Sequence, residues 1–311
     1  MERTIGVCSP SFSGSFLYKK RYDRGISFLE QKGFKVTHGI LAGKICQNQL
    51  SGSVFERSEE INQLFNQVDI VITSIGGYNS NSVLPYLDYE KYRKSNSIFI
   101  GYSDTTAIAL ALYAKTNKIT FMSQSLICNY GEFPPFNELS YHSLNDILFS
   151  EENRDISYKQ PPYWTDERSN WEIFVKPKTI KENEWHIYKY GRAKGTLIAG
   201  NLDTIIGIIG TSYMPKIDEN TILLLEETFS DFGRLYRNFS TLALHGVFDK
   251  ISGLIISKIE YFERRDEIIW LLQNFVDKRD IPILLDFDCG HTHPSYLVPI
   301  GGEVSLILEK D

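Results

Sequence analysis

One serine stands where a hydrolase would place its nucleophile. Residues 98–100 form a short apolar run typical of a buried parallel strand, and an apolar segment that can continue as a buried helix opens at Asp104. Ser103 lies between them, on a sharp turn above the carboxyl edge of the predicted sheet. The helix beneath it offers free backbone N–H groups and a positive dipole end. This arrangement is that of a nucleophile elbow, in which attack and oxyanion stabilisation share one turn.

A catalytic serine needs a base and an acid. His291 and His293 follow a predicted buried strand in a loop rich in Gly and Pro, where a ring can reach a cleft as general base. Glu226 ends another apolar strand, at residues 221–225, and could accept a hydrogen bond that fixes the imidazole tautomer. Each residue also has an ordinary interpretation. Ser103 could cap a helix, Glu226 could form an ion pair, and the histidines could be solvated loop side chains.

A metal site is the main competing chemistry. Four residues with suitable ligand atoms lie close together in sequence: Asp286, Asp288, His291 and His293. Such a set could bind Zn²⁺ or Mn²⁺. However, the two aspartates occupy alternate positions at one strand end, and no third histidine motif is present elsewhere. We therefore expect neither a metal ion nor another cofactor.

A glycine pair follows a third predicted strand, at residues 68–74. Gly76 and Gly77 lack the spacing of a known phosphate-binding motif, so they are weak evidence for a phosphate cradle. Their alternative use is to bring a backbone N–H close to a reacting carbonyl, as a second oxyanion donor.

The first half of the chain alternates between strand and helix. Strands are predicted at residues 4–8, 34–38, 68–74, 98–103 and 119–122, and helices at 23–32, at 58–66 and directly after Ser103. This alternation predicts an α/β fold in which helices cover a parallel sheet. Ligands of such sheets gather at the carboxyl ends of the strands, where the loops described above begin.

The second half divides into a connection and a further domain. Residues 151–194 are polar and carry Trp164 and Trp171, as expected of a long exposed loop, a type that often serves as a lid. Beyond Gly195 we predict strands at 196–199, 221–225, 251–257, 283–287 and 304–308, and helices at 238–245 and 266–276. We therefore expect an N-terminal domain at residues 1–160, a connecting loop at 161–194 and a C-terminal domain at 195–311, because cores seldom grow past ~250 residues.

Composition excludes several classes of protein. The net charge of −6 argues against a general nucleic-acid binder. No apolar run approaches the ~20 residues that span a bilayer, so no membrane partner is expected. The N-terminus lacks the basic and long apolar regions of a signal peptide. The 4 cysteines are scattered without CxxC spacing, which predicts neither a disulfide framework nor a zinc knuckle but a reduced, cytoplasmic setting.

Five segments together resemble the LD-carboxypeptidase family of serine peptidases, and within it the branch of the microcin C immunity proteins. They are IGGYNSNSVLPYLDY (75–89), GYSDTTAIALAL (101–112), GTLIAGNLDTIIGIIGTSYMP (195–215), LLLEET (223–228) and CGHTHPSYLVPIGG (289–302). The resemblance implies Ser103 as nucleophile, with Glu226 and His291, rather than His293, as its partners. It also implies an oxyanion hole formed by the backbone N–H groups of Gly77 and Asp104.

The same resemblance extends to fold and assembly. It implies a Rossmann-like, parallel-sheet N-terminal domain, a β-rich α/β C-terminal domain, a homodimer and no metal ion.

Two loops of the chain resemble that branch in the regions that determine its substrate. Typical muropeptide LD-carboxypeptidases look like xRGGYG at the glycine loop, whereas here Ile75 replaces the arginine and residues 79–82 read NSNS. In the branch, a loop similar to WTDERSNWE (164–172) stacks a tryptophan on the nucleobase of an aminoacyl-nucleotide. Trp171 is the predicted counterpart by position, and Trp164 is the second candidate. Such a ring can equally pack on a dimer partner. Asn79 and Ser80 are further predicted substrate contacts.

We therefore expect a serine peptidase that cleaves an amide bond of a microcin C-like peptidyl- or aminoacyl-nucleotide, as in self-immunity. Two alternatives stay open. One is a muramoyl-tetrapeptide LD-carboxypeptidase of peptidoglycan recycling, and the other a non-catalytic nucleotide- or peptide-binding protein on the same scaffold. The expected partners are a small peptide or peptidyl-nucleotide substrate and a second copy of the chain.

Overall fold

Two six-stranded sheets organise the described part of the chain. The structure is a computed structural model that describes residues 3–150, 155–167, 169–173, 176–228, 230–261 and 264–310. Its strands are β1 (Arg3–Cys8), β2 (Phe34–His38), β3 (Ile70–Thr73), β4 (Ile98–Gly101), β5 (Thr120–Met122), β6 (Tyr163–Trp164), β7 (Lys181–Glu182), β8 (His186–Lys189), β9 (Gly191–Asn201), β10 (Thr221–Glu226), β11 (Gly253–Ser257), β12 (Ile283–Phe287), β13 (Val298–Ile300) and β14 (Glu303–Leu308). Its helices are α1 (Gly14–Leu17), α2 (Lys19–Gln31), α3 (Val54–Leu64), α4 (Tyr89–Lys94), α5 (Thr106–Thr116), α6 (Phe136–Phe149), α7 (Leu202–Ile206), α8 (Phe232–Leu244) and α9 (Arg265–Phe275).

The first sheet has the order β13-β5-β4-β3-β1-β2. Strands β1 to β5 run parallel, and only β13 joins antiparallel, against β5. All four residues of β3 are buried, as expected of a parallel strand that helices cover on both faces. These features confirm the predicted α/β class and its parallel-sheet N-terminal domain.

The second sheet has the order β14-β9-β10-β11-β12-β8. Its four central strands are parallel, and both edge strands are antiparallel to their neighbours. All six residues of β10 are buried, so this strand lies at the centre of the sheet's packing. The predicted β-rich C-terminal part is therefore confirmed.

The two sheets share one apolar core. Ile108 and Leu112 of α5 belong to the same buried cluster as Leu223 of β10. Because α5 packs between the sheets, apolar side chains are buried all around it. Strand β8 lies within the predicted connection yet pairs with β12, and β13 crosses back to the first sheet. The division into domains at residues 160 and 195 stays a prediction.

Helix α8 is longer than its apolar pattern predicts. The sequence favours a helix at residues 238–245, whereas the structure begins it at Phe232. The reason is a cap: the Asp231 carboxylate accepts the backbone N–H of Arg234 at 2.9 Å. Among the described residues, no helix has the length and apolar content needed to cross a bilayer.

Candidate active site

The turn that carries Ser103 follows β4 directly. Ser103 has φ +53°, a left-handed conformation that costs about 1–2 kcal/mol for a residue with a side chain. A short helical turn, Ser103–Thr105, then leads into α5. Thr105 stabilises this turn, because its hydroxyl accepts the N–H of Tyr102 at 2.8 Å and donates to the Tyr102 carbonyl at 2.7 Å. The strained backbone is the one that a nucleophile elbow requires.

Three side chains from distant parts of the sequence form one hydrogen-bonded chain. His291 Nε2 lies 2.9 Å from Ser103 Oγ, and His291 Nδ1 lies 2.7 Å from Glu226 Oε2. A carboxylate can only accept, so Nδ1 carries the proton that faces Glu226. In the neutral ring Nε2 then accepts the Ser103 hydroxyl. The structure thus brings together the three residues that the sequence predicts as nucleophile, base and acid.

The environment of His291 favours its charged form. Burial by itself lowers the pKa of His291, but the Glu226 carboxylate outweighs it and raises that pKa to about 9. Glu226 is only 1% exposed, and its Oε1 has no hydrogen-bond partner among the described residues. The carboxylate therefore directs its charge at the imidazole.

Gly290 allows Glu226 to reach His291. It has φ +98°, and a Cβ at this position would collide with Glu226 Oε2. Any side chain at residue 290 would therefore push the carboxylate away from the ring or distort the loop that carries the ring.

The glycine loop packs directly on Ser103. A Cβ at Gly76 would lie 2.7 Å from Ser103 Cβ and 3.0 Å from its Oγ. The next residue, Gly77, lines the cavity in front of Ser103 together with Asp104. Hydrogen bonds within the described ranges leave the Gly77 N–H unused. The predicted oxyanion donors therefore border the same space as the nucleophile.

Asn79 and Ser80 hold this loop in place. The Asp104 carboxylate accepts their backbone N–H groups at 3.0 and 2.9 Å. Ser80 is fully buried and donates its hydroxyl to the Asp104 carbonyl at 2.6 Å. The side-chain oxygen of Asn79 accepts from the buried Arg57 guanidinium at 2.8 Å. Their role as substrate contacts stays a prediction, since here both side chains bond within the protein.

The cavity beside Ser103 has a volume of about 250 Å³. Three charged residues that the sequence does not single out also line it: Asp203, Glu227 and Arg234. Burial raises the pKa of Glu227 to about 7, although hydrogen bonds from Thr228 and Asn201 favour its charged form. The sequence could have indicated Glu227, because neighbouring residues at a strand end point in different directions and the second glutamate of the pair then faces a different space. It could not have indicated Arg234, because that residue precedes the predicted helix.

His293 lies apart from this chain of hydrogen bonds. It is 4% exposed and packs against the ring of Phe136, and its Nε2 lies 3.8 Å from a carboxylate oxygen of Glu132. Burial lowers the pKa of His293 well below its usual range, so the ring is neutral. It therefore supports the packing of the loop that holds His291.

The four residues considered as metal ligands take different partners. Asp286 pairs with Arg265 at 2.7 Å, and Asp288 pairs with the buried Lys258 at 3.0 Å. Among the residues that the structure describes, no three His, Cys, Asp or Glu side chains are grouped to hold a metal ion.

The two candidate tryptophans lie in different surroundings. Trp171 packs edge-on against Tyr18 at 4.8 Å, and the Arg21 guanidinium lies 4.8 Å from its ring centre. Trp164 lines a second cavity, of about 350 Å³, together with Lys258. A nucleobase role for Trp171 stays a prediction, and it requires a ring face that Arg21 does not cover.

Comparison with known proteins gives the family. Residues 5–123 match the LD-carboxypeptidase N-terminal domain, and residues 194–306 match the LD-carboxypeptidase C-terminal domain. The microcin C7 self-immunity protein MccF of Escherichia coli is 39% identical over 310 residues, which are 97% of this chain and 90% of MccF.

Solved structures agree with this assignment. The wild-type apo structure of MccF superposes with a TM-score of 0.92 at 37% identity and covers 98% of this chain and 93% of its own. An MccF-like protein from Bacillus anthracis superposes with a TM-score of 0.90 at 29% identity and covers 99% and 94%. Other structures show MccF in complex with aspartyl sulfamoyl adenosine, with glutamyl sulfamoyl guanosine and, as a mutant, with adenosine monophosphate. The chain therefore belongs to the LD-carboxypeptidase family of serine peptidases, in the branch of the microcin C immunity proteins, and is a hydrolase of the serine-carboxypeptidase type.

Proposed function

We propose that this protein hydrolyses an amide bond of a microcin C-like peptidyl- or aminoacyl-nucleotide through Ser103, His291 and Glu226. The observation that carries the proposal is the hydrogen-bonded chain from Glu226 through His291 to Ser103. It ends on a strained turn that borders an open cavity. A serine, a histidine and a carboxylate in this relation are recognised by their roles rather than by their order in the chain.

The mechanism follows from these contacts. Ser103 Oγ attacks the carbonyl carbon while His291 Nε2 accepts its proton, and Glu226 stabilises the imidazolium through Nδ1–H. The backbone N–H groups of Gly77 and Asp104 donate to the oxyanion of the tetrahedral intermediate. His291 then gives its proton to the leaving nitrogen, and the acyl group stays on Ser103. A water molecule, deprotonated by His291, releases the acyl group by the same steps in reverse.

Two features favour a nucleotide-linked substrate. The related MccF binds aspartyl and glutamyl sulfamoyl nucleosides, which are amino acids joined to a nucleoside through a sulfamoyl group. In this chain Ile75 stands where the glycine loop of typical muropeptide enzymes has arginine. On this basis the acyl group transferred to Ser103 is an amino acid or a short peptide, and the leaving group carries the nucleotide.

A direct product analysis tests this function. The purified protein is incubated with an aminoacyl-nucleotide of the microcin C type and, separately, with a muramoyl tetrapeptide, and products are identified by mass spectrometry. We expect release of the free amino acid and the amino-nucleotide, with no product from the Ser103→Ala variant. Cleavage of the tetrapeptide alone would contradict the nucleotide substrate. Turnover of neither substrate, with no labelling by a fluorophosphonate, would favour a non-catalytic binding protein.

We also propose that the protein acts in the cytoplasm as a homodimer. All four cysteines are free, and three of them are buried, which suits a reducing compartment. Light scattering coupled to size-exclusion chromatography measures the assembly directly. A mass near twice that of the 35.8 kDa chain supports the dimer, and a mass of one chain contradicts it.

A further inference from the structure

The mechanism above uses the backbone N–H of Asp104 and leaves its carboxylate unused. This side chain is buried, with 8% of the residue exposed. Its Oδ2 accepts two successive backbone N–H groups of the glycine loop, from Asn79 at 3.0 Å and from Ser80 at 2.9 Å. Two donors on one oxygen fix the orientation of the peptide unit that joins them. The carboxylate therefore holds the loop two residues beyond Gly77.

The glycine loop also lies against the turn that follows β4. A Cβ at Gly76 would lie 3.3 Å from the backbone nitrogen of Asp104. On the other side of the loop, the Gly76 carbonyl accepts the N–H of Phe12 at 3.2 Å, and a Cβ at Gly77 would collide with the Ser11 hydroxyl. The peptide nitrogens of Gly77 and Asp104 thus belong to two closely packed segments that border one cavity.

A buried arginine offsets the negative charge of this carboxylate. Arg57 is 3% exposed, and its guanidinium donates to Asn79 Oδ1 at 2.8 Å and to the Pro10 carbonyl at 2.7 Å. Burial lowers the pKa of Arg57, and the nearby Asp104 carboxylate opposes that shift. A carboxylate alone would repel an oxyanion formed close to it. With Arg57 beside it, Asp104 can hold the loop without that cost.

We propose that the Asp104 carboxylate is the positioning group of the oxyanion hole. By holding Asn79 and Ser80, it directs the Gly77 N–H towards the point that the Asp104 N–H also faces. One residue then donates to the oxyanion and positions the second donor. This inference rests on the proposed function, which supplies the two donors. Donors that are fixed before the reaction stabilise the developing charge without reorganisation.

Two variants of Asp104 test this role. Asp104→Ala retains the backbone N–H of residue 104 and removes only the carboxylate. We expect kcat for the aminoacyl-nucleotide to fall by about 10- to 100-fold, less than the roughly 10²- to 10³-fold cost of removing an oxyanion donor outright. KM should stay unchanged, because the oxyanion is absent from the bound substrate. Asp104→Asn keeps an acceptor oxygen in the same place and should retain most of kcat.

Labelling by a fluorophosphonate measures the same role without a natural substrate. Ser103 Oγ forms a bond to phosphorus, fluoride leaves, and the hydroxyl proton passes to His291, while the phosphoryl oxygen occupies the oxyanion hole. The second-order rate constant of labelling should therefore fall in Asp104→Ala by a factor similar to that in kcat. It should recover in Asp104→Asn.

The matched control is Asp69→Ala. Asp69 Oδ2 also accepts two donors, the N–H and the hydroxyl of Thr4, both at 2.8 Å. It precedes β3, which runs parallel to β4, and so lies at the opposite edge of the first sheet from Ser103. This variant should lower Tm and keep both kcat and the labelling rate. Unchanged kcat and labelling in Asp104→Ala, or a rise of KM alone, would overturn the proposal.

A second pair of variants covers the case in which circular dichroism shows that Asp104→Ala does not fold. Asp104→Glu keeps the charge but moves the carboxylate by one methylene, so it should lose rate where Asp104→Asn does not. Equal rates of the two would overturn the proposal. A wild type that cleaves only the tetrapeptide contradicts the proposed substrate, and the labelling rates then still support or overturn the role of Asp104. A wild type that the fluorophosphonate does not label contradicts both.

Discussion

At the scale of single residues, Ser103 combines a strained backbone with a hydroxyl that lies within hydrogen-bond distance of His291. Alanine meets the same strain at φ +53°, so Ser103→Ala should leave Tm nearly unchanged. Turnover should fall by roughly 10³-fold or more, because removing one member of such a triad removes most of its catalysis. Thermal melts and steady-state kinetics on the same preparation measure the two effects. A variant that keeps most of its activity would show that Ser103 only caps the helix.

The two histidines of the 289–302 loop provide an internal comparison. His291→Ala should match Ser103→Ala in kcat, since it removes the base. His293→Ala should be much milder in kcat and should instead lower Tm, because this neutral ring is buried against Phe136. A larger loss of kcat from His293→Ala than from His291→Ala would contradict the assignment of the base.

The protonation of His291 determines how the rate responds to pH. Its pKa is raised to about 9 by Glu226, and only the neutral ring can accept the Ser103 proton. The value of kcat/KM should therefore rise with pH along a limb centred near pH 9. Glu226→Gln removes the charge that raises the pKa, so the limb should move to lower pH while kcat decreases. A limb that stays in place in this variant would mean that another group controls the profile.

At the scale of elements, the turn after β12 sets the distance between His291 and Glu226. Gly290→Ala introduces a Cβ that meets Glu226 Oε2, so both Tm and kcat should fall. Gly33→Ala is the matched control, because Gly33 has a similar φ of +88° but nothing within 4 Å of an added Cβ. The control should lose only about 1–2 kcal/mol of unfolding free energy and keep its kcat. Equal effects of the two changes would assign the loss at Gly290 to strain alone.

A substitution of Trp171 tests whether its loop determines substrate specificity. If its ring stacks on a nucleobase, Trp171→Ala should weaken the use of aminoacyl-adenylates by ~1–3 kcal/mol, the usual value of base–aromatic stacking. A substrate without a nucleobase should be little affected, because Ser103 and the predicted oxyanion donors lie at the sheet edge. Values of kcat/KM for both substrates decide between the two roles. Equal damage would mean that Trp171 acts through its packing on Tyr18 and Arg21.

At the scale of the whole molecule, the fold distributes its acidic and histidine side chains among separate partners. Asp286 and Asp288 pair with Arg265 and Lys258, while His291 bonds to Glu226. Exhaustive dialysis against EDTA should therefore leave the rate unchanged, measured against an undialysed sample. A loss of activity that added zinc restores would support the metal site and would mean that Ser103 only caps the helix.

Local patterns determined much of the molecule. The apolar runs of β3, β4 and β10 predict buried parallel strands, because such strands are covered on both faces. The change from the apolar run of β4 to that of α5 likewise predicts the turn that carries Ser103. Short elements are not predicted by such patterns. Strand β13 has three residues and pairs with β5, whose partner residues lie about 180 positions earlier, so no local signal reveals it.

The sequence alone determined that a serine follows one strand, a glutamate ends a second and two histidines follow a third. The tertiary structure decided how these ends meet. His291 lies 65 residues from Glu226 and 188 from Ser103 in sequence, and only the packing of both sheets aligns the three side chains. It separated Glu226 from Glu227 by pointing one at His291 and the other into the cavity. It also brought Arg234 to that cavity. Which strand ends meet, and which space each side chain enters, depends on long-range packing that residue spacing does not encode.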